Sequence, residues 1–384
     1  VRIDQRIAGG EGTEVNATSN HVAPLTGARA LAAGTVVLFH YVVFARHLNG
    51  SALPWLTWLV GDGQIPVTIF FVLSGFLLAV RYGEMPLREA PRFVLRRILR
   101  IYPLFFVVTL LFCIAPQVLI DGSTVYADVW RTAGVLTMGQ ALHVDLFGLG
   151  APTGWTLTLE LIFYASAPVL FALLRGTARR RIVVLAALLA VIAAGAAATL
   201  HWPALYEFSG YAERQMYTVG VLVRLPEFVI GAAVGMHRRA AGGAGGGGER
   251  VRTTAMLCAM TCIALIAASN QAFWLHADAG NMLIRWVLAA VFAVLLHCWS
   301  VDATKTVGAQ WLSTPALVYL GASSFALYLV HTAWPLQWVW RALAELPLPA
   351  LVLAPLMYGI SAAAGAVAYE WVEKPLGRLA RGGG

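Results

Sequence analysis

The chain has 384 residues, of which 59 % are hydrophobic and 12 % charged, and its mean hydropathy is +0.72. That balance excludes an ordinary soluble globular domain and an intrinsically disordered chain, and it makes a lipid bilayer the natural solvent. The net charge of +8 sits in short basic clusters between apolar runs, so loop topology accounts for it without nucleic acid as a partner.

Residues 1–24 are polar and lack the apolar stretch of a cleavable signal, so they read as a cytoplasmic N-terminal segment ahead of a first span that is retained. A hydrocarbon core about 30 Å thick needs roughly 20 helical residues. Apolar runs of that order fall at 25–46, 64–81, 101–121, 155–174, 181–200, 217–236, 253–270, 283–300, 315–336 and 351–370. The expected fold is all-α: one polytopic membrane bundle of about ten transmembrane helices over 25–373, then a tail over 374–384. Segment 122–154 is too long for a tight connection, and its apolar run Val129 to Leu142 is too short to span, which suggests a re-entrant or lid element. The run Gly242 to Gly248, broken only by Ala244, has the composition of a flexible tether.

An alternating path puts every second loop on one side. That side receives Arg2 and Arg6, then Arg81 through Arg100, Arg175 and Arg179 to Arg181, then Arg238, Arg239, Arg250, Arg252, Lys305, Lys374, Arg378 and Arg381. The opposite side has scattered cations such as Arg46, Arg131, Arg214 and Arg341. Because cytoplasmic loops collect Arg and Lys, both termini are expected in the cytoplasm and the protein in the cytoplasmic membrane.

Ionisable side chains within spans are expensive and therefore functional candidates, each to be weighed against a neutralised structural pair. His40 lies about 16 Å up a helix from Arg29, and Glu160 about 8 Å below the outer boundary, by the rise per residue of an α-helix. The two are thus expected at similar depth and able to meet. Arg224 and Glu227, three apart on one span, can neutralise each other. His331 shares a helical face with Tyr328 and Ser324 and reads as supporting more than catalytic. Arg96, Arg97 and Arg100 precede Tyr102-Pro103 at helical spacing; they suit either a positive-inside anchor or a phosphate-bearing ligand. Cys113, Cys258, Cys262 and Cys298 lie in apolar runs without zinc-site spacing, and no metal is expected.

These elements resemble, in order, the motifs of the acyltransferase family 3 membrane proteins. Arg29 through His40 is similar to the family's opening element of a basic residue, ten others and a histidine. Phe70-Phe71-Val72-Leu73-Ser74-Gly75-Phe76 and Arg96-Arg97-Ile98-Leu99-Arg100-Ile101-Tyr102-Pro103 resemble its second-span and basic motifs. Trp155-Thr156-Leu157, followed by Glu160 and Phe163-Tyr164, resembles its carboxylate motif. Arg224-Leu225-Pro226-Glu227-Phe228, Tyr328-Leu329-Val330-His331 and Glu373-Lys374-Pro375 complete the likeness, with Phe325 standing where a tyrosine is common.

The resemblance implies an enzyme: an acyl-CoA-dependent O-acyltransferase acting on sugar hydroxyls, with acyl-CoA as co-substrate and no tightly bound cofactor. On that reading His40 is the general base, with Glu160 orienting or balancing its ring. Arg29, Arg97, Arg100, Tyr102 and Ser74 serve the CoA side, and Trp155, Tyr164, Arg224, Glu227, Tyr328 and His331 bind acceptor or support the site. No soluble domain is expected after Glu373, and the excess of Arg over Lys suits a GC-rich bacterium. Together these favour transfer, acetyl by preference, to a glycosylated natural product such as a macrolide, with a cell-envelope glycan as the alternative acceptor. A transporter or flippase is the rival of another class, since buried ionisable residues also mark transport pathways. The oligomeric state is left open, a homo-oligomer included.

Overall fold

The computed structural model describes residues 23–41, 60–202, 210, 215–217, 220–242, 248–274, 278–346 and 348–377. Every regular element among them is helical, as buried backbone in a lipid solvent requires. In chain order they are α1 (23–41), α2 (Gln64–Tyr82), α3 (Ala90–Leu119), α4 (Val129–Leu136), α5 (Gly154–Leu174), α6 (Ala178–His201) and α7 (Val221–Ala240). The remainder are α8 (Glu249–Trp274), α9 (Asp278–Val301), α10 (Pro315–Ala322), α11 (Ser324–Val330), α12 (Trp334–Ala344) and α13 (Ala350–Ala368).

Eight helices among the described residues are long and apolar enough to cross a bilayer, and they coincide with eight of the ten expected spans. The first expected span is represented by α1, which the described residues follow only to Tyr41. The ninth is not one rod. Ser323 and the stretch 331–333 interrupt it, leaving α10, α11 and α12 as short pieces, with Pro315 and Pro335 in the first turns of α10 and α12. The third begins earlier than its apolar run suggests, so Arg96, Arg97 and Arg100 lie on α3 itself; its middle, Val108–Ile114, is wound as a π-helix just before Pro116. Segment 122–153 folds as short helical turns around α4, with a small core of Tyr126, Val135 and Leu146 against Ile114. It is tied to α5 by Thr158, whose hydroxyl donates to the Met138 carbonyl at 2.6 Å. Most of the glycine tether, 243–247, lies outside the described residues, as do Arg2, Arg6, Arg46, Arg214, Arg378 and Arg381.

The arginine-bearing ends of α2, α5 and α7 gather with the end of α9 at one end of the bundle. Arg239 Nη1 donates to the Val80 carbonyl at 2.7 Å, Arg175 Nε to that of Gly83 at 3.1 Å, and Arg238 Nη2 to that of Ser300 at 3.1 Å. These guanidinium groups satisfy carbonyls that helix ends leave without intrahelical partners.

Helices α2 and α7 approach closely enough for backbone to meet backbone. A Cβ on Gly75 would lie 2.2 Å from the Phe228 carbonyl oxygen, and one on Gly231 would lie 2.2 Å from that of Val72. Small residues are how membrane helices gain this contact, because lipid supplies no hydrophobic drive between them. Beside the seam Arg224 and Glu227 form a fully buried ion pair at 3.0 Å, and Thr68 of α2 donates to the same Glu227 oxygen at 3.1 Å. A second buried polar cluster joins Asp62, just before α2, to α8 and α9: Ser269 Oγ and Asn281 Nδ2 reach its carboxylate at 2.8 and 2.9 Å, and Arg285 stands 3.9 Å away.

Gly231→Ala should therefore force α2 and α7 apart at a cost of about 1–3 kcal/mol, the range for overpacking a filled interior. In detergent melts this variant should unfold at a lower temperature than the parent. Gly359→Ala, where nothing lies within 4 Å of the added carbon, should match the parent; equal melting of all three would refute the close approach.

Candidate active site

A cavity of about 410 Å³ runs beside α2, walled by α1, α3, α5 and α11. One face of α2 serves the cavity through Phe70, Ser74, Leu77 and Arg81, while Val72, Gly75, Phe76 and Ala79 pack toward α7. Arg81, Tyr82, Arg97 and Arg100 line the arginine-rich end, and Val67, Phe70, Phe71 and Leu157 the opposite part. From Tyr82 to Val67 the helix rises about 22 Å.

The cationic end is only partly neutralised by the protein. Arg97 Nη2 donates to the Tyr82 hydroxyl at 3.0 Å, and its guanidinium lies 5.3 Å from the Tyr82 ring centre and 5.7 Å from that of Phe93. Arg29 and Arg100 make no hydrogen bond or ion pair with any described residue, although Arg29 is close enough to Glu160 and Glu373 to interact with their charges. Glu160 accepts from Ser74 Oγ at 3.3 Å and from the Tyr164 hydroxyl one turn along α5. Two guanidinium groups free to donate into a concave, mostly apolar space suit an anionic ligand with an apolar arm.

Tyr328 forms the wall between this cavity and the histidines. Its hydroxyl pairs with Thr156 Oγ1 at 2.9 Å, and its ring centre lies 5.9 Å from that of Phe70 and 6.0 Å from that of His331. His331 is fully buried at the break after α11, and its Nε2 lies 3.2 Å from Nδ1 of His40. His40 is half-buried.

The depth match expected from sequence does not become a contact. Among the described residues His40 meets His331 and the Val36 carbonyl, whereas Glu160 meets Ser74 and Tyr164. Depth along two helices leaves their rotation free, and rotation turns Glu160 toward α2. Arg29, Ser74, Arg97, Arg100, Glu160, Tyr164 and Tyr328 share the cavity. Tyr102 instead packs on Phe105 and Phe106, and Trp155 on Phe147. Arg224 and Glu227 stand behind Phe71, over which the Arg224 guanidinium lies at 5.4 Å from the ring centre. Thr156, Phe70 and Tyr82 are cavity residues that sequence reasoning did not single out, because threonine and aromatic residues in an apolar run look like packing. Glu373, on the π-turn Tyr369–Glu373, is close enough to Arg29 and Arg100 to feel both charges; its place in the terminal Glu-Lys-Pro motif was the available signal.

A family model described as an acyltransferase domain matches residues 23–371. Acyltransferase MdmB of Streptomyces mycarofaciens is 29% identical over 326 residues, which cover 80% of this chain and 77% of that protein. BcsY of Komagataeibacter xylinus, named as a membrane-bound transacylase, is 26% identical over 329 residues, covering 81% of this chain and 72% of its own. Nodulation protein 10 of Rhizobium leguminosarum bv. viciae is 30% identical over 135 residues, 31% of this chain and 36% of that protein. No solved structure matches the chain significantly. With the match running from α1 through the π-turn after α13, the chain belongs to the acyltransferase 3 family of membrane proteins.

Proposed function

We propose that the protein is an acyl-CoA-dependent O-acyltransferase that carries a short acyl group, acetyl by preference, to a hydroxyl of a sugar or of a glycosylated natural product such as a macrolide. The observation that carries this reading is the cavity itself, which joins the unpaired guanidinium groups of Arg29 and Arg100 to an apolar end against Phe70 and Tyr328. The CoA phosphates fit the cationic end, beside Arg97 and Arg100, and the pantetheine arm fits the apolar passage past Ser74 and Glu160. The thioester then faces Tyr328, with the histidine pair next to it. In this arrangement the arginine-rich end is cytoplasmic, the chain crosses the cytoplasmic membrane about ten times, and both termini are inside.

His40 is the proposed base. Its neutral ring takes the proton of the acceptor hydroxyl as the oxygen attacks the thioester carbonyl carbon; the carbon–sulfur bond breaks, and the thiolate leaves with that proton. Glu160, out of contact with His40, is assigned to the cavity wall: it holds Ser74 and Tyr164 and offsets the charge of Arg29.

His40→Ala should lower release of free thiol from acetyl-CoA by about 10²–10⁴-fold, the usual contribution of a general base, with the melting temperature in detergent unchanged. Residual turnover above about a tenth of the parent would remove His40 from that role.

Arg100→Ala should act on binding instead. Losing one charge-assisted contact to phosphate, about 1.5–3 kcal/mol, should raise KM for acetyl-CoA about tenfold or more while kcat stays near the parent value, and added salt should narrow the gap. An unchanged KM accompanied by poor membrane insertion would make the arginine a topology anchor.

A further inference from the structure

His40 and His331 are 291 positions apart in sequence, yet they bring ring nitrogens within 3.2 Å. The surrounding hydrogen bonds determine which nitrogen carries each proton. Nδ1 of His40 lies 2.9 Å from the Val36 carbonyl oxygen, and Nδ1 of His331 lies 3.2 Å from that of Leu327. A carbonyl oxygen only accepts, so each Nδ1 bears a hydrogen, and a neutral imidazole protonated at Nδ1 has a bare Nε2. The Nε2 of His331 is therefore an acceptor directed at the Nδ1–H of His40, which it shares with Val36. Among the described residues no hydrogen bond reaches the Nε2 of His40, and its lone pair is open to a proton.

We infer that His331 is a positioning residue for acyl transfer, accepting beside the Val36 carbonyl from the Nδ1–H of His40 and so aiming the ring and offsetting its charge while Nε2 takes a proton. The inference rests on His40 being the base. When His40 Nε2 removes the acceptor's hydroxyl proton, the positive charge on the ring spreads to Nδ1–H, where the Val36 carbonyl and His331 Nε2 both accept from it. The proton then returns from Nε2 to the leaving thiolate. Nδ1–H stays on His40 throughout, and His331 neither gains nor loses a proton. A carboxylate performs this orienting task in serine hydrolase triads; here a neutral acceptor does so inside the membrane, where an unpaired carboxylate would be costly.

The ring of His331 is fixed by the same back-bond, to the carbonyl four residues earlier, that holds His40 in α1. In the structure the helix stops at Val330, and Leu327 receives both the backbone N–H of His331 at 3.1 Å and its Nδ1–H at 3.2 Å. Ring contacts from Tyr328 at 6.0 Å and Trp340 at 6.3 Å hold the imidazole on its other sides.

Packing alone would also bury His331, so the test compares side chains that keep different atoms. In His331→Gln the amide oxygen reaches the position of Nε2 and can still accept from His40. In His331→Asn the amide nitrogen replaces Nδ1 and still donates to Leu327, but nothing reaches His40. The full-length protein, labelled with ¹⁵N-histidine, would be examined by nitrogen NMR for the His40 tautomer, with His40→Gln identifying the signal. The same samples would be assayed for thiol release from acetyl-CoA.

The expected result is the Nδ1–H tautomer in all three proteins, because the Val36 carbonyl remains, with the His40 Nδ1 signal alike in the parent and His331→Gln and displaced in His331→Asn, where one acceptor of its hydrogen is lost. The Asn variant should lose kcat on the order of 10²-fold, less than the about 10⁴-fold cost of replacing a triad carboxylate, with KM unchanged, and the Gln variant should stay within about tenfold of the parent. An unchanged His40 Nδ1 signal in His331→Asn, or equal kcat in the Asn and Gln variants, would overturn the inference. If the signals change as expected but the parent does not consume acetyl-CoA, the donor assignment fails while the positioning of His40 by His331 stands.

Discussion

Inside a hydrocarbon slab a charged or hydrogen-bonding side chain has no water to turn to, so it must find a partner in the protein or face a polar cavity. That constraint sorts the buried polar residues of this bundle into two groups. Arg224 with Glu227, and Asp62 with Arg285, Ser269 and Asn281, set opposite charges or polar partners against one another and line none of the cavity beside α2. Arg29 and Arg100 have no such bonded partner among the described residues, and both open into it. The guanidinium groups that open into the cavity without a bonded countercharge are therefore the ones that point to a ligand.

Helix α2 separates the two groups. Its seam with α7, made possible by Gly75 and Gly231, holds the paired charges on one side, while Ser74 and Phe70 look into the cavity on the other. Shifting α2 along α7 would move Ser74 off Glu160 and Phe70 off Tyr328 together. Packing at two glycines and the geometry of a site elsewhere on the same helix are thus coupled, through a rod that changes its bonding little between turns.

Hydropathy made most of the fold legible, because spanning a bilayer demands long apolar runs and eight of them became long helices. The ninth run misled. Its composition around Tyr328 and His331 is as apolar as that of its neighbours, and what divides it is the interior role of Ser323 and His331, which a running average does not register. Candidate residues were legible where chemistry was unusual for a membrane, as with Arg29, His40, Glu160 and His331. How those residues pair was not. Depth placed His40 level with Glu160, but the rotation of α1 and α5 about their axes turned one toward α11 and the other toward α2. Asp62 escaped notice because it sits at a helix start, where an acidic residue is ordinary, and its partners Ser269 and Asn281 are uncharged.

The account has one central claim, that an acyl thioester enters from the arginine-rich end and ends beside His40. A structure of the protein with a non-hydrolysable thioether analogue of acetyl-CoA tests it most directly. The account predicts phosphates at Arg97 and Arg100, the pantetheine arm along Ser74 and Leu77, and the acyl carbon past Tyr328 within reach of His40 Nε2. An analogue seated with its phosphates away from these arginines, or with its acyl end at the arginine-rich end of the cavity, would contradict it.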